Sequence, residues 1–93
     1  MAYQQIKTIV ALMKQGADVA QGIAEIALLA DAPGGLHGLV RVASEEQEAE
    51  VAETLWWTAA ASSVRTANWS VYAECRNWLD SISRSRPAEG RDS

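Results

Sequence analysis

Few side chains in this 93-residue sequence are of the kinds that do covalent or metal chemistry: one histidine, one cysteine, a Ser-Ser pair and a cluster of glycines. His37 sits in Gly-Leu-His-Gly, and no second His, Cys or carboxylate stands near it at metal-ligand spacing. Cys75 would need a paired base and an electropositive setting to act as a thiolate. It falls instead in a row of apolar residues, where a cysteine behaves as a small hydrophobe. Ser62 and Ser63 lack the G-x-S-x-G context of a nucleophile elbow. Gly34, Gly35 and Gly38 lack the G-x-x-x-x-G-K pattern of a phosphate loop, and no strand precedes them. No catalytic residue, metal ligand or cofactor is expected.

Recognition chemistry is better represented. The stretch TLWWTAAASSVRTANWSVY, residues 54 to 72, holds three of the four tryptophans around a run of Ala, Ser and Thr. On a helix, Trp56 and Trp57 point about 100° apart, so they cannot share one seam. Trp57 begins the longer apolar row and is expected in the core. Trp56 heads a row of Ala and Ser and is expected on a contact surface, where exposed Trp often dominates binding. Just upstream, Glu45, Glu46, Glu48, Glu50 and Glu53 form an acidic run without a base. Acids at a helix start suit its macrodipole, and an acidic face can also steer a basic partner.

The elements that would carry these residues read as helices. Residues 2 to 30 give two adjacent apolar rows at helical spacing and are expected to form one amphipathic helix. Gly16 fits a close helix approach, whereas Gly22 falls outside both rows. The stretch DAPGG at 31 to 35 is turn chemistry, and 36 to 43 is ambiguous. Ser44-Glu-Glu-Gln47 has the capping-box pattern. From there to about residue 84 neither Gly nor Pro occurs. A helix over that stretch would be about 60 Å long, against about 40 Å for the first.

The long segment carries Trp57, Ala61, Val64, Asn68, Val71, Cys75, Trp78 and Ile82 at alternating steps of four and three. Such a row predicts a helix-packing seam. Asn68 lies midway along it, either as a buried register device or at the seam's wet edge. In the first role, Asn68→Val would raise stability. The segment is small or apolar around most of its girth from 55 to 73, more than one partner helix covers. The expected fold is therefore all-α: two main antiparallel helices, one long, joined by a Pro/Gly turn and packed as a helical bundle in a homodimer. Residues 1 to 84 would form the domain, and 85 to 93 a disordered tail.

Composition narrows the function. The net charge is −4, and the arginines are dispersed rather than gathered into a phosphate-binding face, so direct nucleic-acid binding is not expected. The apolar region from 9 to 30 contains Lys14, Asp18 and Glu25, which argues against a membrane span. A single cysteine suits a reducing cytoplasm. The reading is a small acidic, non-enzymatic module that binds a protein partner stoichiometrically. Size and charge are of the kind found among inhibitors and adaptors, phage-encoded anti-CRISPR proteins and secretion chaperones. The alternatives are an assembly subunit polymerising through its long helix and, behind it, a helical DNA-binding regulator.

Overall fold

The computed structural model describes residues 2–85, and all its regular elements are helices: α1 Ala2–Lys14, α2 Val19–Asp31, α3 Gly35–Glu45, α4 Ala49–Arg65 and α5 Trp69–Ser85. The helical class is as expected, but five helices replace two. The expected tail lies outside the described residues, apart from Ser85, which ends α5.

Local chemistry explains each break. After α1, the Gly16 N–H donates to the Met13 carbonyl at 3.1 Å and the Ala17 N–H to the Leu12 carbonyl at 3.0 Å. This helix stop requires a left-handed residue, and Gly16 supplies it at φ +109°. Asp18 then caps α2, its Oδ1 accepting from the Gln21 N–H at 3.2 Å. The single helix expected over 2–30 is thus two helices folded back on each other. Gly22 acquires a role in that fold: a Cβ there would lie 2.6 Å from the Met13 sulfur and 3.3 Å from Ile9 Cγ2. The residue without a place in the sequence rows is the one where α2 crosses α1.

The expected turn at 31–35 is present, with Ala32 extended before Pro33 and Gly34 at φ 79°. The ambiguous stretch after it is a full helix, α3, burying Leu36, Leu39, Val42 and Ala43. The capping box expected at Ser44–Gln47 does not form, because Ser44 and Glu45 are the last residues of α3 rather than the start of the next helix. The Ser44 hydroxyl donates back to the Arg41 carbonyl, and α4 starts only after Glu48. Glu46 organises this corner: its Oε2 accepts from the Glu48 N–H at 2.9 Å and from Lys14 Nζ at 2.8 Å.

The long helix is divided at Thr66–Asn68. The Ala67 N–H reaches the Val64 carbonyl at 3.1 Å and the Asn68 N–H reaches the Ser63 carbonyl at 2.8 Å, the same stop as after α1. Here the left-handed residue is alanine, Ala67, at φ 55°. Asn68 is neither a register device nor the edge of a seam but the cap of α5: its Oδ1 accepts from the Val71 N–H at 3.2 Å and from the Ser70 hydroxyl at 3.1 Å. The expected gain from Asn68→Val is therefore reversed. Loss of the cap should destabilise the fold by about 1 kcal/mol, which thermal melts of the two proteins would show.

α3 packs on α1, α2 and α4, and α4 packs on α2, α3 and α5, while α5, among the described elements, packs on α4 alone. α4 therefore lies between two layers. Leu55, Ala59 and Ser62 form one buried row, and Trp56, Ala60 and Ser63 another. The Ser62 hydroxyl meets Asp31 of α2, and Trp56 stacks on Trp78 of α5, which assigns the two rows to the two layers. The small residues let both layers approach one backbone. The five-helix fold removes the mismatch of helix lengths and covers part of the apolar girth of 55 to 73 within one chain, leaving Trp57, Val64 and Trp69 exposed.

Candidate interaction surface

The placement of the two adjacent tryptophans is the reverse of the sequence expectation. Trp56, expected on the contact surface, is 1% exposed and stacks on Trp78 with centroids 5.3 Å apart. Trp57, expected in the core, is 51% exposed. The physical reason is the two-layer packing of α4: the row of small residues headed by Trp56 is what lets α5 close in, and the row headed by Trp57 is left facing outward.

The expected seam divides at the hinge. Trp57, Ala61 and Val64 are exposed on α4, whereas Val71 and Cys75 are buried on α5 against it. Ile82 is half-buried, and Trp78 keeps 44% exposure beside its stack. The turn at Ala67 resets the helical phase, so one sequence row is outward before it and inward after it. Trp57 carries the Arg76 guanidinium over its ring at 5.6 Å. Across the turn Trp69 is 60% exposed, with Tyr72 edge-on at 6.2 Å. One flank of the α4–α5 hairpin thus presents Trp57, Ala61 and Val64, with Arg76 and Trp69 from α5. This surface was not assembled from the sequence, because its α5 members belong to other rows. The clustering of Trp in 54–72 was the available signal.

The acidic run is split by the α3–α4 corner. Glu45 accepts from the Tyr3 hydroxyl and pairs with Arg41 at 3.4 Å. Tyr3 holds the Glu45 carboxyl below its ordinary value, with Arg41 and Lys7 adding to the effect. Burial works to raise Glu46, but the hydrogen bonds from Lys14 and from the Glu48 backbone outweigh it, and its carboxyl is also lowered. Glu46 in turn raises Lys14. Glu48 lies 3.5 Å from the same ammonium. These three acids serve the corner between α1, α3 and α4. Glu50 and Glu53 lie seven and four residues before Trp57 and share its helical face.

The residues weighed for covalent chemistry are placed otherwise. Ser62 donates to Asp31 Oδ1 at 2.6 Å and Ser63 to the Ala60 carbonyl at 2.7 Å. Cys75 is fully buried, and burial, with Glu74 nearby, pushes its thiol up to about 11. A thiol so placed is protonated at neutral pH and out of reach of solvent. His37 is exposed on α3. Among the described residues no group of three His, Cys, Asp or Glu could hold a metal ion. A shallow groove of 510 Å³ between α1 and α2 is lined by Gln5, Thr8, Ile9, Glu25, Leu28 and Leu29, and its one carboxylate, Glu25, accepts from Gln21. No described helix is long and apolar enough to cross a membrane.

No protein-family model matches the chain, and neither a curated protein nor a solved structure matches it.

Proposed function

We propose that the chain is a non-enzymatic binding module that acts by stoichiometric contact with another protein, as an inhibitor or adaptor does. The contact surface is the outward face of α4, centred on Trp57 and continued by Ala61 and Val64, with Glu50 and Glu53 at one end. The observation that carries the reading is the half-exposed Trp57 beside exposed Val64, on a helix whose other faces are buried. Large rings left in water on a small domain are typical of binding anchors. Neighbouring acids select a partner with a basic rim and speed its approach. Trp56, now a core residue, has no part in this surface.

Trp57→Ser tests it. The variant should keep the fold and melt close to the parent, since Trp57 is already half-exposed. Its affinity for the partner recovered from the native host should fall by roughly thirtyfold, the effect of about 2 kcal/mol. Titration of that partner onto parent and variant gives the ratio directly. Equal affinities would reject the assignment, as would a loss of binding that merely follows unfolding.

A further inference from the structure

Among the described elements, α5 packs on a single neighbour, α4. Its buried side chains, Val71, Cys75 and Leu79, and the Trp78 ring on Trp56 are all directed to α4. A helix that touches one element, and is joined to it through a short hinge, is the kind of element that proteins exchange between copies. The hinge here is Thr66–Asn68, and it carries strain. Ala67 sits at φ 55°, where its Cβ crowds the following carbonyl and glycine is the usual occupant. Strained short hinges favour exchange, because opening relieves them.

Asn68, the cap of α5, is the one local signal for a bend in the hinge sequence. Residues 44 to 84 contain neither Gly nor Pro, and the row from Trp57 to Ile82 keeps its steps of four and three across the turn. Apart from that cap, which straightening gives up, composition and spacing suit one continuous helix. The chain turns back at Ala67 because α5 then reaches α4, and any other copy of α4 would serve equally.

We propose that a second copy of this chain serves: α4 and α5 straighten into one helix, and the α5 of each copy packs on the α4 of the other. The closed and exchanged forms share all α4–α5 contacts. The exchanged form relieves Ala67 in both chains, and this works against the entropic cost of association. α1, α2 and α3 do not touch α5, so neither body has to change. Val64 and Trp69, 48% and 60% exposed in the single chain, flank the hinge. In the exchanged dimer the two hinges meet at the two-fold axis, and these residues are covered there. The proposal does not rest on the partner surface, but it shares Val64 with it, so exchange would cover that end of the surface and leave Trp57 outside the hinge contact.

The test is to refold the full chain from denaturant at high micromolar concentration and to measure its mass by light scattering after size exclusion. The parent should yield a dimer that persists for hours after dilution, because release requires α5 to leave α4. Ala67→Gly removes the left-handed penalty in the closed form and weakens the straight helix at both hinges. Its dimerisation constant should fall at least on the order of thirtyfold. Trp57→Ser should dimerise as the parent does, which separates this result from the partner surface. A parent that stays monomeric at every concentration overturns the proposal. So does an Ala67→Gly protein that dimerises as readily as the parent, or a dimer that dissociates at once on dilution, as a face-to-face pair would.

Discussion

Trp56→Ala should cost about 3–5 kcal/mol of stability, while Trp57→Ala costs less than about 1 kcal/mol. The two residues are neighbours of identical chemistry, and the difference comes from packing alone. Trp56 is 1% exposed and is wedged between α4 and α5, where its ring stacks on Trp78 at 13° between planes. Truncation leaves a void that α5 cannot fill by moving, since Val71, Cys75 and Leu79 hold it at its present distance. The stacking contribution is lost as well. A domain of this size holds only about 5–15 kcal/mol in total. Thermal melts followed by circular dichroism should therefore show the Trp56→Ala midpoint lowered by more than about 12 °C. Trp57 is already half-exposed and meets the Arg76 guanidinium at its ring, so its removal forfeits a partly exposed cation–π contact and far less burial than that of Trp56. Two variants melting together would contradict the two-layer packing of α4.

Asp31→Ala should cost about 2 kcal/mol, and the parent should lose stability in acid by a route that Asp31→Asn lacks. Asp31 ends α2 and ties it to the end of α4. Its Oδ2 accepts from Arg65 Nε at 2.9 Å, and its Oδ1 accepts from Arg65 Nη2 at 3.1 Å and from Ser62 at 2.6 Å. The Arg65 pair is partly exposed, and its share is modest. The larger part comes from Ser62, which is fully buried and would lose its acceptor. The Arg65 guanidinium and then the Ser62 hydroxyl hold the Asp31 carboxyl below its ordinary value of 3.8, against a smaller opposing effect of burial. A carboxylate lowered in the folded state contributes stability that is fully present above its unfolded value. That contribution is lost as pH falls through the folded one. Stability should thus decline below about pH 4. Urea titrations across that range should show a shallower decline for Asp31→Asn, with Glu45 and Glu46 sustaining the remainder. Parallel declines in the two proteins would remove Asp31 from the acid response.

Local chemistry sets the class of secondary structure and some of its punctuation. Apolar residues at steps of three and four can be buried together only on a helix, so an all-helical fold was legible outside the ambiguous stretch 36 to 43. The turn at 31–35 was legible because Pro33 and Gly34 change the backbone directly, whatever surrounds them. The stop at Gly16 and the start at Asp18 were written in equally local terms. The apolar rows continue across them, however, and periodicity carries no mark of where a helix doubles back.

Tertiary structure decided the rest. No glycine or proline marks the turn at Ala67. A left-handed alanine costs on the order of 1–2 kcal/mol, and burying Val71, Cys75, Leu79 and the Trp56–Trp78 pair offsets that several times over. A local rule is broken there because a distant contact is worth more. The same contact chose between Trp56 and Trp57. Their spacing established only that they face different surroundings, about 100° apart. Which of them is inside depends on the side of α4 that α5 occupies, and that is a property of the packed chain rather than of either residue.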